Sequence, residues 1–273
     1  MQDYTAAAIK SRLTTNILGR RIELHPQVGS TNDLAKQAGR SGEPEGLVVL
    51  AEEQLTGRGR LGRAWVAPPG CCVLCSVLLR PRFSPQQAFY ITIAAAVAIH
   101  RALRGIGGGE LSPAIKWSND VLLNGRKVSG ILSEGEFSGG EWAFSVLGFG
   151  INVNLQRAQF GELRDTATSI SVELGREVDR VEVLARVLGE LEGLYLLLQG
   201  GQFGTVHAEW AAALETIGRR VSIAEAGRDG PVQGRALRVD ADGALVVLTD
   251  GGVERRVLAG DVSGSLAAER GGG

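Results

Sequence analysis

The chain has 273 residues, 44% of them hydrophobic, and a formal net charge of -1. That size allows one large domain, or a domain of about 200 residues with a small one beside it. Balanced charge leaves no electrostatic footprint for nucleic acid or a membrane surface. No run approaches the roughly 18 apolar residues of a membrane span, and the first 21 residues lack the apolar core of a signal peptide, so a soluble, cytoplasmic protein is expected.

Residues 1–19 read as an N-terminal extension. Arg20 to Leu24 then reads as a first strand, ending near Pro26. Ser30 with Asp33 three residues later has the form of a capping box, so a helix is predicted from Thr31 to about Gln37. Leu47 to Glu53 and Val73 to Leu79 are apolar enough to be buried strands, and a glycine- and arginine-rich stretch, Gly57 to Arg63, lies between them. Ser84-Pro85-Gln86-Gln87 opens a core helix that runs to about Leu103 and ends in the glycines that follow. Ile115 to Trp117, Val121 to Leu123, Lys127 to Phe137 and Glu141 to Asn154 form a meander, with hairpin signals at Asn124-Gly125 and Ser138-Gly139-Gly140. Asp179 with Glu182 starts a helix to about Leu198, and Thr205 to Leu214 reads as another.

From Gly218 the strands become short: Val221 to Ala224, Val232 to Val239, Leu245 to Leu248 and Val253 to Leu258. Asp-Gly turns at 229–230, 242–243 and 250–251 separate them. This is the pattern of a small all-β barrel. The expected division is a main domain at 20–216, a small β-domain at 217–267 and a disordered tail at 268–273.

Cys71, Cys72 and Cys75 sit in a nearly continuous apolar run. Three clustered thiols make no disulfide framework, and the scattered histidines offer no zinc spacing, so small core side chains on a strand are expected. Lysine is scarce. Lys10, Lys36, Lys116 and Lys127 are the only ones, and two of them share a short segment where a compact ammonium suits better than a guanidinium.

Four segments carry chemistry. Gly57-Arg58-Gly59-Arg60-Leu61-Gly62-Arg63-Ala64-Trp65 contains a formal G-x-G-x-x-G, but Val-Ala-Pro-Pro-Gly follows instead of a helix, which excludes a dinucleotide-binding turn. A loop with three glycines and three arginines suits close approach to an anion and closure over it; a solvated loop or an RNA contact fits the composition equally. Lys116 and Asp120, with Lys127 starting the next strand, suggest cations aimed at one cavity, where an anion is expected. On the residues alone, an edge ion pair between Lys116 and Asp120 explains the pattern better. Gly148-Phe149-Gly150-Ile151-Asn152 implies close approach or, more often, a bulge. Ser30-Thr31-Asn32 is a helix cap, or a set of donors for a neutral polar head group.

In this order and spacing the four segments resemble the biotin–protein ligases. The hallmark G-R-G-R-x-G-R-x-W is matched from Gly57 to Trp65, K-W-P-N-D from Lys116 to Asp120 with Ser118 in place of proline, and R-K-x-x-G-I-L from Arg126 to Leu132. S-T-N is Ser30 to Asn32, and G-I-N is Gly150 to Asn152. The resemblance implies an α+β fold, a mixed, largely antiparallel sheet with packed helices of the class II synthetase-like kind, followed by an SH3-like barrel. It implies that biotin and MgATP form biotinyl-5′-AMP, and that biotin then passes to a lysine of a biotin carboxyl carrier protein. By carry-over, Ser30, Thr31, Asn32, Gln54, Gly57 and Gly130 bind biotin. Arg58, Gly59, Arg60 and Lys127 face the carboxylate and α-phosphate, with Arg58, Arg60 and Lys127 carrying the chemistry. Arg63, Trp65, Lys116, Asn119, Asp120 and Asn152 bind the nucleotide. No dedicated metal site is implied; Mg²⁺ arrives with ATP and Asp120 is open to it. About 20 residues precede the first strand, too few for the DNA-binding domain of some family members, so no specific DNA binding is expected; a homodimer stays open. The rivals are a lipoate or octanoate ligase or transferase, and a non-catalytic nucleotide- or RNA-binding module.

Overall fold

Every residue of Cys72–Leu79 is buried, and the sheet is built outward from it. The computed structural model describes residues 4–59, 62–65, 67–225 and 230–263. The strands of the main domain are β1 (Arg21–Val28), β2 (Leu47–Gln54), β3 (Cys72–Leu79), β4 (Pro113–Lys116), β5 (Asp120–Leu123), β6 (Arg126–Ser138) and β7 (Glu141–Asn152). They form one sheet in the order β1-β2-β3-β7-β6-β5-β4. β1 and β2 are parallel, and every other neighbour in this sheet is antiparallel. The parallel pair is joined by the crossover helix α2 (Thr31–Arg40), as a parallel connection requires. β1 does not end at Pro26 but continues to Val28. As an edge strand it has no neighbour on its outer side, so the missing N–H of proline is tolerated there.

Alternation along β2 separates two apolar layers. Val48 and Leu50 join β3 residues Val73, Cys75, Val77 and Leu79 in the main core. Leu47 and Val49 pack with Ala35 of α2, Phe144 and Val146 on the opposite face. The main core is covered by α3 (Phe89–Gly107), α5 (Arg180–Gln199) and α6 (Phe203–Ala213). α3 with the turn before it is long and apolar enough to cross a membrane, but most of it is buried against the sheet. Its start differs from the predicted cap. Pro85–Gln87 is a 3-10 turn, Ser84 makes no side-chain cap, and the α-helix begins only at Phe89. It runs past Gly105 and stops where Gly108 turns left-handed. At the hairpin between β5 and β6, Asn124 and Gly125 have φ of 51° and 74°, the primed turn expected of Asn-Gly.

The N-terminal residues are part of the body, not an appendage. α1 (Ala6–Arg12) is capped by the Thr5 side chain, and Ile9 and Leu18 are wholly buried. Glu192 of α5, itself only 5% exposed, accepts the backbone N–H groups of Asn16, Ile17 and Leu18 at 2.6, 2.7 and 2.8 Å. One carboxylate thus satisfies three donors in a segment with no sheet or helix to pair with. Short α4 (Ile170–Leu174) and the 3-10 turns over Arg157–Asp165 were also absent from the sequence reading.

The C-terminal unit has β8 (Arg220–Ala224), β9 (Val232–Val239), β10 (Leu245–Thr249), β11 (Glu254–Val257) and β12 (Asp261–Ser263). Its order is β11-β10-β9-β8-β12, all antiparallel. The expected small β-domain is present as a five-stranded antiparallel unit; among the described residues β11 and β12 do not pair, so no closed barrel forms. Part of the 229–230 turn and the tail from 268 lie outside the described residues. The 240–244 turn docks on the main domain: Trp117 Nε1 donates to Gly243 O at 2.9 Å and Tyr90 Oη to Ala241 O at 2.7 Å.

Replacing Glu192 by Ala leaves three N–H groups without their acceptor at a buried site. The expected loss is about 3 kcal/mol of unfolding free energy, read from urea titration; a change well under 1 kcal/mol would show that the N-terminal segment is held by its apolar contacts alone.

Candidate active site

β1 delivers the chain to the start of α2, and there Ser30, Thr31 and Asn32 are all buried. The expected capping box does not form. Ser30 makes no side-chain cap, and Asp33 is taken instead by Arg58 in a two-pronged ion pair at 2.9 and 2.5 Å. A bidentate guanidinium draws the Asp33 carboxylate away from the helix start, and it holds the Asp33 carboxyl below the usual carboxylate range. Gln54, at the end of β2, accepts from the Thr31 backbone N–H at 2.8 Å and lies 3.0 Å from the Thr31 hydroxyl. Ser76, wholly buried on β3, sits 2.5 Å from Asn32 Oδ1 and 2.7 Å from Thr31 Oγ1. These residues make a neutral, hydrogen-bonding end to a cavity of about 670 Å³, within the range of small-molecule sites.

The loop after β2 folds back on itself over this cavity. Arg58 pairs with Ala64 as an isolated bridge, Gly59 N donates to Arg63 O at 2.7 Å and Trp65 N to Gly57 O at 2.9 Å. A side chain at Gly57 would come within 2.4 Å of Trp65 O. Arg60, predicted with Arg58 and Lys127 to carry the chemistry, lies outside the described residues. Arg63 forms an ion pair with Asp261 of the C-terminal sheet. That hydrogen bond lowers the Asp261 carboxyl below its ordinary range, and the charges of Lys116 and Lys127 act in the same direction. The two lysines and the C-terminal carboxylate therefore belong to one electrostatic cluster.

Trp65 lies on bare backbone. Gly130 and Gly150 are direct partners across β6 and β7, and a Cβ on Gly150 would fall 2.5 Å from the indole. The glycines of β7 are thus close-approach positions, and the pairing of β7 with β3 runs without a bulge through this region. The Trp65 indole N–H is buried with no protein acceptor among the described residues, a donor that a ligand oxygen would satisfy. Lys127 Nζ stands 5.7 Å from the ring centroid and 2.7 Å from Asp120 Oδ1. Asp120 therefore pairs with Lys127, not with Lys116 across β4 and β5 as the sequence favoured. The cause is local: the β5–β6 register slips at Val121 and Leu122, and Gly130 leaves the space that the Lys127 side chain occupies.

Of the predicted residues, Ser30, Thr31, Asn32, Gln54, Arg58, Gly59, Arg63, Trp65, Lys116, Asn119, Asp120, Lys127 and Gly130 line the cavity. Gly57 and Asn152 do not. Asn152 is buried and donates to Thr168 O at 3.0 Å. It anchors the segment whose Thr166 O accepts from Lys127 N at 2.8 Å and whose Thr168 N donates to Lys127 O at 2.9 Å. Its part is to fix the backbone of Lys127 from behind. Sequence reasoning missed Ser76, Thr166 and Asp261. A lone serine inside an apolar strand was a usable signal for the first; nothing local marked the others. The predicted core role holds for Cys72 and Cys75, which are buried, and burial pushes the Cys72 thiol up to about 12; Cys71 precedes β3 and is only half-buried.

The arrangement is two-ended. One end offers neutral donors and acceptors, the other offers cations over an aromatic ring, and a glycine floor lets a ligand lie against backbone. It suits an elongated molecule with a polar neutral head and an anionic far end. Residues 24–152 match the biotin/lipoate A/B protein ligase family, and residues 216–264 match the biotin protein ligase C terminal domain. The bifunctional ligase/repressor of Bacillus subtilis is 33% identical over 248 residues, which cover 90% of this chain and 75% of that protein. The biotin–[acetyl-CoA-carboxylase] ligase of Mycobacterium tuberculosis is 35% identical over 247 residues, covering 89% of this chain and 88% of that one. The solved biotin protein ligase of Aquifex aeolicus, in complex with biotin and ATP, has a TM-score of 0.73 at 28% identity over 89% of this chain and 98% of that chain. A cavity with a neutral polar end and a cationic end, on a fold and a sequence shared with these proteins, makes this chain a member of the biotin protein ligases within the biotin/lipoate A/B protein ligase family.

Proposed function

We infer that the chain is an ATP-dependent biotin–protein ligase. The observation that carries this is the two-ended cavity, in which buried hydrogen-bonding groups at one end face a cationic cluster at the other. In the first step a biotin carboxylate oxygen attacks the α-phosphorus of ATP. The bond from that phosphorus to the bridging oxygen of the β-phosphate breaks, pyrophosphate leaves, and biotinyl-5′-AMP remains. In the second step the ε-amine of a carrier-protein lysine attacks the acyl carbon. The acyl–oxygen bond breaks, AMP leaves and the amine loses a proton. Both steps need positioning and fixed charge, and neither needs a protein nucleophile.

Ser30, Thr31, Asn32 and Gln54 are assigned to the biotin head. Lys127 is assigned to the point where the carboxylate meets the α-phosphate, because its ammonium lines the cavity 5.7 Å from the Trp65 ring centroid. Arg58, Gly59 and Arg60 are assigned to the carboxylate and phosphate, and Arg63, Trp65, Lys116, Asn119 and Asp120 to the nucleotide. Each main cation is already paired with a protein carboxylate: Arg58 with Asp33, Arg63 with Asp261, Lys127 with Asp120. An incoming anion replaces the carboxylate, so the cations exchange partners while the pairs, which are partly exposed, cost little to break. Closure of the loop then protects the labile anhydride from water.

Mg²⁺ is held in such sites by one or two carboxylates, with substrate phosphates completing the shell. Among the described residues there is no cluster of three or more metal-ligating side chains, whereas Asp120 stands on the cavity wall. That donor set fits a cation carried in by ATP, and Asp120 would hold it. When bound, the ion spreads the negative charge of the phosphates.

Pyrophosphate release from MgATP tests the reading, with biotin, lipoate and octanoate as parallel substrates. Release with biotin alone is expected. Release with lipoate or octanoate in preference would move the chain to the lipoate side of the family, and no release with any acid would make the cavity a binding site only. Within a biotin-dependent reaction, Lys127→Ala should slow single-turnover adenylation by about 10²- to 10³-fold with a much smaller change in ATP binding, since its charge is needed most where charge develops. Equal losses in ATP binding and rate would reduce Lys127 to a ground-state contact.

A further inference from the structure

Glu134 on β6 is outside the cavity wall, and the reaction as described makes no use of it. Its carboxylate is nevertheless divided between two groups of α2. Oε2 accepts from Asn32 Nδ2 at 2.7 Å, and Oε1 forms an ion pair with Lys36, one turn further along. Lys36 is the third of the four lysines to fall at this site. On its other side Asn32 presents Oδ1 to the Ser76 hydroxyl at 2.5 Å. Ser76 also lies 2.7 Å from Thr31 Oγ1; the Thr31 hydroxyl has a proton of its own to donate there, which leaves the single Ser76 proton for Asn32 Oδ1, an acceptor only. The backbone leaves room for the arrangement: a Cβ on Gly148 would lie 2.2 Å from Asn32 Oδ1.

A primary amide has two orientations that differ by exchange of O and NH₂. A carboxylate accepts only. With Glu134 on one side and the Ser76 hydroxyl on the other, the amide has one permitted orientation; the flipped form would set its oxygen against the carboxylate. Asn32 is thereby left with one N–H and one oxygen lone pair for the cavity, in a fixed order along the wall.

We propose that Glu134, with Lys36 as its counter-charge, is a positioning residue that fixes the Asn32 amide and so selects a cyclic head carrying both N–H donors and a carbonyl acceptor. It rests on the biotin-ligase reading above. A urea-type head can answer a fixed donor and a fixed acceptor together, whereas an apolar head leaves both unpaired. The discrimination follows from the cost of leaving buried polar groups unsatisfied.

The test is a double-mutant cycle on biotin binding without ATP, measured by calorimetry on the full chain, with thermal unfolding as control. Glu134→Ala and Asn32→Ala are each expected to weaken biotin binding by about tenfold or more, with the KM for ATP unchanged. Because Glu134 acts through Asn32, adding Glu134→Ala to Asn32→Ala should weaken binding no further. Glu134→Gln, whose amide oxygen still accepts from Asn32, should recover part of the loss, and it runs through the same cycle if the Ala variant does not fold. Wild-type biotin affinity in Glu134→Ala, or losses that multiply in the double variant, would overturn the proposal. A wild-type chain that binds no biotin would instead overturn the function reading on which it stands.

Discussion

The structure turns on how positive charge is kept ready in a cavity that also has to be partly dry. Two substrates that are both anions must be brought into contact, and the opposing field has to come from fixed cations. Long side chains that are a third to two-thirds exposed stay in place only when a partner fixes them. The chain solves this with its own carboxylates. Asp33 holds Arg58, Asp261 holds Arg63 and Asp120 holds Lys127. These three carboxylates come from a helix start, the C-terminal sheet and the meander, so their ion pairs tie three parts of the chain to the cavity. This also gives the C-terminal unit a place in the site: its docking through Trp117 and Tyr90 brings Asp261 within reach of the loop.

The second constraint is space. β6 and β7 carry Gly130, Gly148 and Gly150 at the centre of the sheet, and each is covered by a cavity-lining side chain: Lys127 and Trp65 over Gly130, Asn32 over Gly148, Trp65 over Gly150. A strand with side chains at these positions would be better packed and more stable on its own. The stability forgone there is spent on letting an indole, an amide and an ammonium lie against backbone in fixed positions.

The elements with strong local signals were legible in the sequence. The buried strand around Cys75, the Asn124-Gly125 turn, the Asp179 cap and β9 are set by patterns of a few residues. What was not legible depends on partners distant in the chain. The segment Asn16 to Leu18 that follows α1 is held by Glu192, more than 170 positions away. Ser30-Asp33 looked like a cap because the competing partner, Arg58, lies in a different loop. Asp120 chose Lys127 over Lys116 because of a register slip that periodicity does not reveal. The same holds within the site. Arg58, Gly59, Arg63 and Trp65 of the Gly-Arg loop, the two lysines and Ser30-Thr31-Asn32 were found by motif and line one cavity, whereas Asn152 stands behind it and holds Thr168, which pairs with Lys127.

The exchange of cation partners is the claim on which the rest depends, and a crystal structure with biotinyl-5′-AMP bound tests it most directly. The account predicts that Arg58 leaves Asp33 and Lys127 leaves Asp120, both turning to the carboxyl–phosphate junction of the adenylate. An adenylate bound while both ion pairs persist unchanged would contradict it, and would mean that the charge the reaction needs comes from other groups.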